Sequence, residues 1–112
     1  MLRKLTSLLF LTALSLFAFQ SMAQKNTVVA HRGSWKNTGV PENTIGALKH
    51  AIQQGCLGSE FDVHMTADGV PVVHHDHTIG DVDIEKVTYN ELMKSKLKNG
   101  ENIPTLDEYL KA

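Results

Sequence analysis

The sequence predicts an α/β fold built on parallel strands, and three observations carry that prediction. Thr27-Val28-Val29-Ala30 is a short β-branched run, a helix pattern follows it, and Leu57 to Val63 then returns to strand composition. Strand, helix, strand in that order is a crossover unit, which sets its two strands side by side and parallel. His31 to Val40 is polar, contains Gly33 and Gly39, and reads as the loop leaving the first strand. Pro41 closes that loop, and Asn43 or Thr44 supplies the helix cap. Ile45, Leu48, Ala51 and Ile52 recur at helical spacing until Gly55 stops the helix. Val70 to His74 is a third extended segment, reached through the turn Ala67-Asp68-Gly69. Thr88 with Glu91 and Thr105 with Glu108 are capping boxes. The first opens a short helix through Leu92 to Leu97, and the second a helix over Leu106 to Leu110.

The chain has 112 residues, and its first part is read as a leader. Met1-Leu2-Arg3-Lys4 is a short basic start, Leu5 to Phe19 is almost wholly apolar, and Ser21-Met22-Ala23 offers small residues for cleavage before Gln24. Residues 1–23 are therefore expected to be a signal peptide, and residues 24–112 the folded portion. The apolar run is shorter than the roughly 20 residues a spanning helix needs, so a retained anchor is the lesser alternative. No cysteine follows it to take a lipid. The protein is expected to be exported, to a periplasm or beyond. Cys56 is the only cysteine, which excludes an internal disulfide and a four-cysteine metal site. It is expected to be a small buried apolar residue. A net charge of −1 with both signs interspersed excludes the basic stripe of a nucleic-acid face.

Candidate chemical residues stand directly after strands. In a β/α barrel the loops there form the catalytic face, and such barrels take about 250 residues. The expectation is the N-terminal part of a (β/α)8 TIM-type barrel, two to three units long and incomplete in this chain. Glu60 and Asp62 are two apart on the second strand, so both side chains share a face. Paired carboxylates repel, and a hard divalent cation with oxygen ligands relieves the repulsion. His31 can pass protons near neutral pH, and Arg32 can hold a phosphate by parallel hydrogen bonds. His74, His75 and His77 surround Asp76. Strand alternation lets only one of His74 and His75 face the site. A zinc site is the rival reading of the histidines, but their spacing does not match common zinc patterns. His50 and His64 are read as surface or helix-face residues. Glu42 is placed to support a histidine or arginine from behind. Trp35 either shields a ligand or covers the barrel mouth.

The order His31-Arg32-Gly33, Pro41-Glu42-Asn43-Thr44, Glu60-x-Asp62-Val63, Thr66-x-Asp68-Gly69, Val72-Val73-x-His75-Asp76 and Ile103-Pro104-Thr105-Leu106-Asp107-Glu108 resembles the glycerophosphodiester phosphodiesterase family. The resemblance spans Val28 to Leu110. It implies a metal-dependent phosphodiester hydrolase that releases glycerol 3-phosphate and an alcohol from a small glycerophosphodiester substrate. His31 and His75 would be its acid/base pair, Arg32 its phosphate ligand, and Glu60 and Asp62 its ligands to Ca2+ or Mg2+. The family's third metal carboxylate would lie beyond Ala112, so the chain alone is expected to be inactive and poorly folded. Thr78-Ile79-Gly80-Asp81-Val82-Asp83 lacks an arginine that members often carry there, and His77 has no role in the pattern. The alternatives are a non-catalytic secreted barrel that binds a phosphorylated ligand, and a related phospholipase acting on intact lipid head groups. No nucleic-acid partner and no membrane anchor after signal cleavage are expected.

Overall fold

The computed structural model describes residues 27–112, and the expected signal segment lies outside the described residues. Strand β1 (Val29–His31) leads through a loop into helix α1 (Ile45–Gln53) and back to strand β2 (Gly58–Glu60). β1 and β2 pair in parallel, with Val29 opposite Gly58 and His31 opposite Glu60. Thr44 is the cap of α1, its hydroxyl accepting from the Ala47 amide at 3.1 Å. Ala47 and Ala51 form the buried face of that helix.

The expected single strand over Leu57 to Val63 is divided. β2 ends at Glu60, and a new strand β3 (Val63–Met65) begins after Phe61 and Asp62. The break is caused by a partner distant in sequence. The Asp62 amide donates to the Asn43 side chain at 3.2 Å, so it is withdrawn from any strand ladder. β3 then forms an antiparallel hairpin with β4 (Pro71–Val73), closed by Thr66 to Val70. Strands β5 (Thr78–Ile79) and β6 (Val82–Asp83) make a second hairpin, and Gly80 takes its first loop position at φ 56°. A turn of 3-10 helix (Ile84–Lys86) follows it.

Helix α2 (Tyr89–Leu92) is shorter than the sequence predicts, while helix α3 spans Leu106–Lys111. Both carry complete capping boxes, Thr88 with Glu91 and Thr105 with Glu108. Val72, Ile84, Leu92 and Ile103 form the core, which lies under the two hairpins and α2. Tyr109 is buried from α3, with its ring 4.8 Å from that of Phe61. Val29, Leu57 and Val63 are exposed, as are Met65 and Leu110. Cys56 is a free thiol and only partly buried, against the expectation of burial.

Candidate active site

His31 and Glu60 are the last residues of two paired parallel strands, so the register itself sets them side by side at the strands' C-terminal ends. His31 Nε2 lies 3.8 Å from Glu60 Oε2, and the imidazole is largely exposed. The chain then turns sharply. Arg32 adopts φ 58° and Gly33 φ 82°, both in the left-handed region. Gly33 is required there twice over, because a Cβ at that position would stand 2.6 Å from Ala47 Cβ. The close approach is fixed by the Ser34 amide, which donates to the Ala47 carbonyl at 2.9 Å.

This turn aims Arg32 inward at three acidic groups. Its amide donates to Glu60 Oε2 at 3.1 Å, its Nη1 donates to Glu42 Oε1 at 3.0 Å, and its Nε lies 3.5 Å from Asp62 Oδ2. That Nε is buried and, among the described residues, has no hydrogen-bond partner. Glu60 and Asp62 therefore both converge on Arg32. They do so from the end of β2 and from the link after it, and not from one continuous strand.

Asn43 is the residue that sequence reasoning missed, having been weighed only as a cap. It is 1% exposed, sits at φ 56°, and donates from Nδ2 to Asp62 Oδ2 at 3.0 Å while its Oδ1 accepts from the Asp62 amide. Its own amide donates to the Arg32 carbonyl at 2.9 Å. Asparagine tolerates the left-handed conformation and offers both a donor and an acceptor. Those two properties at the end of a loop were the available signal.

His75 stands after β4, outside this direct network. Its Nδ1 and Asp76 Oδ1 are 2.7 Å apart. The hydrogen bond from His75, above all, holds the Asp76 carboxyl below the ordinary carboxylate range, with a smaller contribution from the Arg32 charge. The backbone joins the two parts, since the His74 amide donates to the Asp62 carbonyl at 3.0 Å. Burial pushes the His74 imidazole down, toward its neutral form. His64 is not a surface residue. Its side chain is only 12% exposed, and its Nε2 lies 3.0 Å from the His75 carbonyl oxygen. Trp35 remains in the loop after β1, with Lys36 Nζ 5.8 Å from its ring centre.

The donor chemistry of Glu60 and Asp62 fits a hard divalent cation. Among the described residues, each carries one oxygen, Glu60 Oε1 and Asp62 Oδ1, with no protein hydrogen bond. Two carboxylates supply only part of the 6–8 oxygens, roughly, that calcium takes.

Comparison with known proteins gives a consistent result. Residues 31–112 match the family model described as the glycerophosphoryl diester phosphodiesterase family. A glycerophosphodiester phosphodiesterase of Caldanaerobacter subterraneus subsp. tengcongensis is 43% identical over 96 residues, covering 75% of this chain and 39% of that protein. The crystal structure of a glycerophosphodiester phosphodiesterase from Parabacteroides distasonis is 50% identical with a TM-score of 0.72, over 78% of this chain and 37% of that one. An Oleispira antarctica phosphodiesterase, solved with the product sn-glycerol-3-phosphate, is 34% identical with a TM-score of 0.66, over 76% of this chain and 38% of that one. The chain thus spans well under half the length of these relatives, and its fold is α/β, covering part of the barrel they form.

Proposed function

The chain belongs to the glycerophosphoryl diester phosphodiesterase family, and from that premise we propose that the protein hydrolyses glycerophosphodiesters to glycerol 3-phosphate and an alcohol. The observation that carries the reading is the convergence of His31, Arg32, Glu60 and Asp62 at the C-terminal ends of β1 and β2. In a β/α barrel that is the face on which chemistry occurs.

Arg32 binds the phosphate. Glu42 and Asp62 hold its guanidinium in place, and a guanidinium so held can donate parallel N–H bonds to phosphate oxygens. His31 and His75 move the protons. One takes a proton from the attacking hydroxyl and the other returns one to the leaving alkoxide. Where the substrate's own neighbouring hydroxyl attacks, a cyclic phosphate forms and water opens it in a second step to give glycerol 3-phosphate. Asp76 hydrogen-bonds to His75 Nδ1, which orients the ring and leaves Nε2 to face the substrate. Glu60 and Asp62 would hold a calcium or magnesium ion, whose charge offsets that developing on the phosphoryl oxygens. The basic start and apolar run of residues 1–23 support a reaction outside the cytoplasm.

The test is glycerol 3-phosphate release by the full-length protein from glycerophosphodiesters of different head groups, with and without chelator. His31→Ala is expected to lower the rate by about 10²–10⁴-fold, the usual worth of a positioned acid or base. Activity indifferent to both chelator and His31→Ala would overturn the proposal.

A further inference from the structure

A second cluster of metal-ligating side chains lies on β3 and the hairpin after it, and nothing in the proposed reaction uses it. His64 from β3, His77 just before β5 and Glu85 from the 3-10 turn place one donor atom each within 4.8 Å of one another. The His64 and His77 rings are 4.9 Å apart and nearly edge-on, at 66°. Glu85 Oε1 lies 3.8 Å from His64 Nδ1. We propose that His64, His77 and Glu85 bind a transition-metal ion of the zinc class, at a site separate from Glu60 and Asp62.

Three features support it. First, the partner of His64 Nε2 is a carbonyl oxygen, that of His75, at 3.0 Å. A carbonyl only accepts, so Nε2 donates to it, and Nδ1, on the side of the ring toward Glu85, is the nitrogen open to a metal ion. Nδ1 and Glu85 Oε1, 3.8 Å apart, are too far from each other for a hydrogen bond. Their separation suits two ligands of one tetrahedral ion, which stand about 3.3 Å apart when metal–nitrogen bonds are about 2.0 Å. Second, the His75 carbonyl on Nε2 is the outer partner that metal-bound histidines commonly have, one that fixes tautomer and ring plane. Third, the donors are held by the fold. The Ile84 amide donates to the His77 carbonyl at 3.0 Å, and the Ala67 amide after β3 donates to the Val87 carbonyl at 2.9 Å. Lys86, beside Glu85 in sequence, is paired with Asp83 at 2.9 Å.

Two imidazoles and one carboxylate select a borderline ion such as Zn2+ over Ca2+ or Mg2+. The ion would tie the β5–β6 hairpin to β3 and, through His64 Nε2, to the backbone of His75. Its role is structural, fixing the segment that bears His75. This inference stands on the cluster geometry alone and does not depend on the proposed reaction.

The experiment titrates Zn2+, and separately Co2+ for its visible absorption, into chelator-stripped full-length protein with excess Mg2+ present. One equivalent is expected to bind, Co2+ giving ligand-field bands and Zn2+ raising the thermal midpoint. His77→Ala and Glu85→Gln change exposed side chains and should keep the native circular dichroism. Each is expected to weaken Zn2+ binding by roughly 100-fold or more, since even outer-sphere changes cost 10–100-fold. Unchanged affinity in both variants, or wild-type binding no tighter than millimolar, would overturn the site.

Discussion

Replacing Asn43 by Asp tests the link between the loop before α1 and the carboxylate pair, because the change is isosteric. Aspartate accepts the left-handed φ of 56° as asparagine does, so the backbone is not perturbed. What changes is the atom 3.0 Å from Asp62 Oδ2, which turns from an amide donor into a carboxylate oxygen. Two unit charges at that distance repel by about 5 kcal/mol at an effective dielectric of about 20. The pair can avoid this by keeping one proton, which the position's burial, at 1% exposed, also favours. Holding a proton against an ordinary carboxylate pKa near 4 costs about 5 kcal/mol at pH 8 but only about 1.5 kcal/mol at pH 5. Arg32, 3.5 Å from the same Asp62 oxygen, screens part of the repulsion. The expected deficit is about 3 kcal/mol at pH 8, shrinking to about 1 kcal/mol at pH 5.

The sign follows from linkage. The pair's folded pKa is raised above its unfolded value, so stability is intact below pH ~4 and is lost as pH rises through the raised value. The assay is urea unfolding of wild type and Asn43→Asp in chelator at both pH values. Chelator matters, because a divalent cation drawn to the added carboxylate would mask the repulsion. A deficit of about 3 kcal/mol moves the midpoint by about 1–3 M urea. A deficit under about 0.5 kcal/mol, or one equal at both pH values, would refute the reasoning.

Gly33→Ala should destabilise by about 2–5 kcal/mol, the sum of a left-handed penalty and overpacking against Ala47. Gly39→Ala, also left-handed at φ 80° but with nothing within 4 Å, should cost only about 1–2 kcal/mol, and equal losses in denaturant titrations would contradict the close approach. Asp68 accepts from the Thr66 hydroxyl at 2.6 Å and from the Tyr89 amide at 2.9 Å, and these bonds hold its carboxyl below the ordinary range. Its contribution is therefore present above the unfolded pKa and is lost as pH falls through the folded one. Acid titration followed by circular dichroism should show Asp68→Asn losing less stability than wild type below pH ~4, and superimposable curves would exclude it.

Much of the scaffold was legible because its signals are local. A β-branched run before an amphipathic helix announced the parallel pair, and Thr88 and Thr105 each stand three residues before a glutamate that completes the cap. What escaped depends on partners distant in sequence. Composition carried the second strand through Asp62, but Asn43, from a loop 19 residues earlier, takes the Asp62 amide and ends the ladder. The β5–β6 hairpin has strands of two residues, too short to show a period of two. β3 inverts the usual rule, leaving Val63 and Met65 exposed while His64 turns inward, so hydrophobicity pointed the wrong way.

The candidate site divides along the same line. His31 and Glu60 could be placed together from strand order alone, because parallel register brings the two strand ends level. Arg32 could not. Its role rests on a left-handed turn that aims the amide at Glu60 and the guanidinium between Glu42 and Asp62. An L-residue with a side chain occupies that region at a cost of about 1–2 kcal/mol. Here the cost is offset by Gly33, which lets the chain pass against Ala47, and by Asn43, whose amide donates to the Arg32 carbonyl. Strain held in place by neighbours is characteristic of positions where a side chain must point one way only. Arg32 and Asn43 are thus two halves of one device, and the carboxylate pair that the sequence displays as Glu60-Phe61-Asp62 is oriented by residues it does not contain.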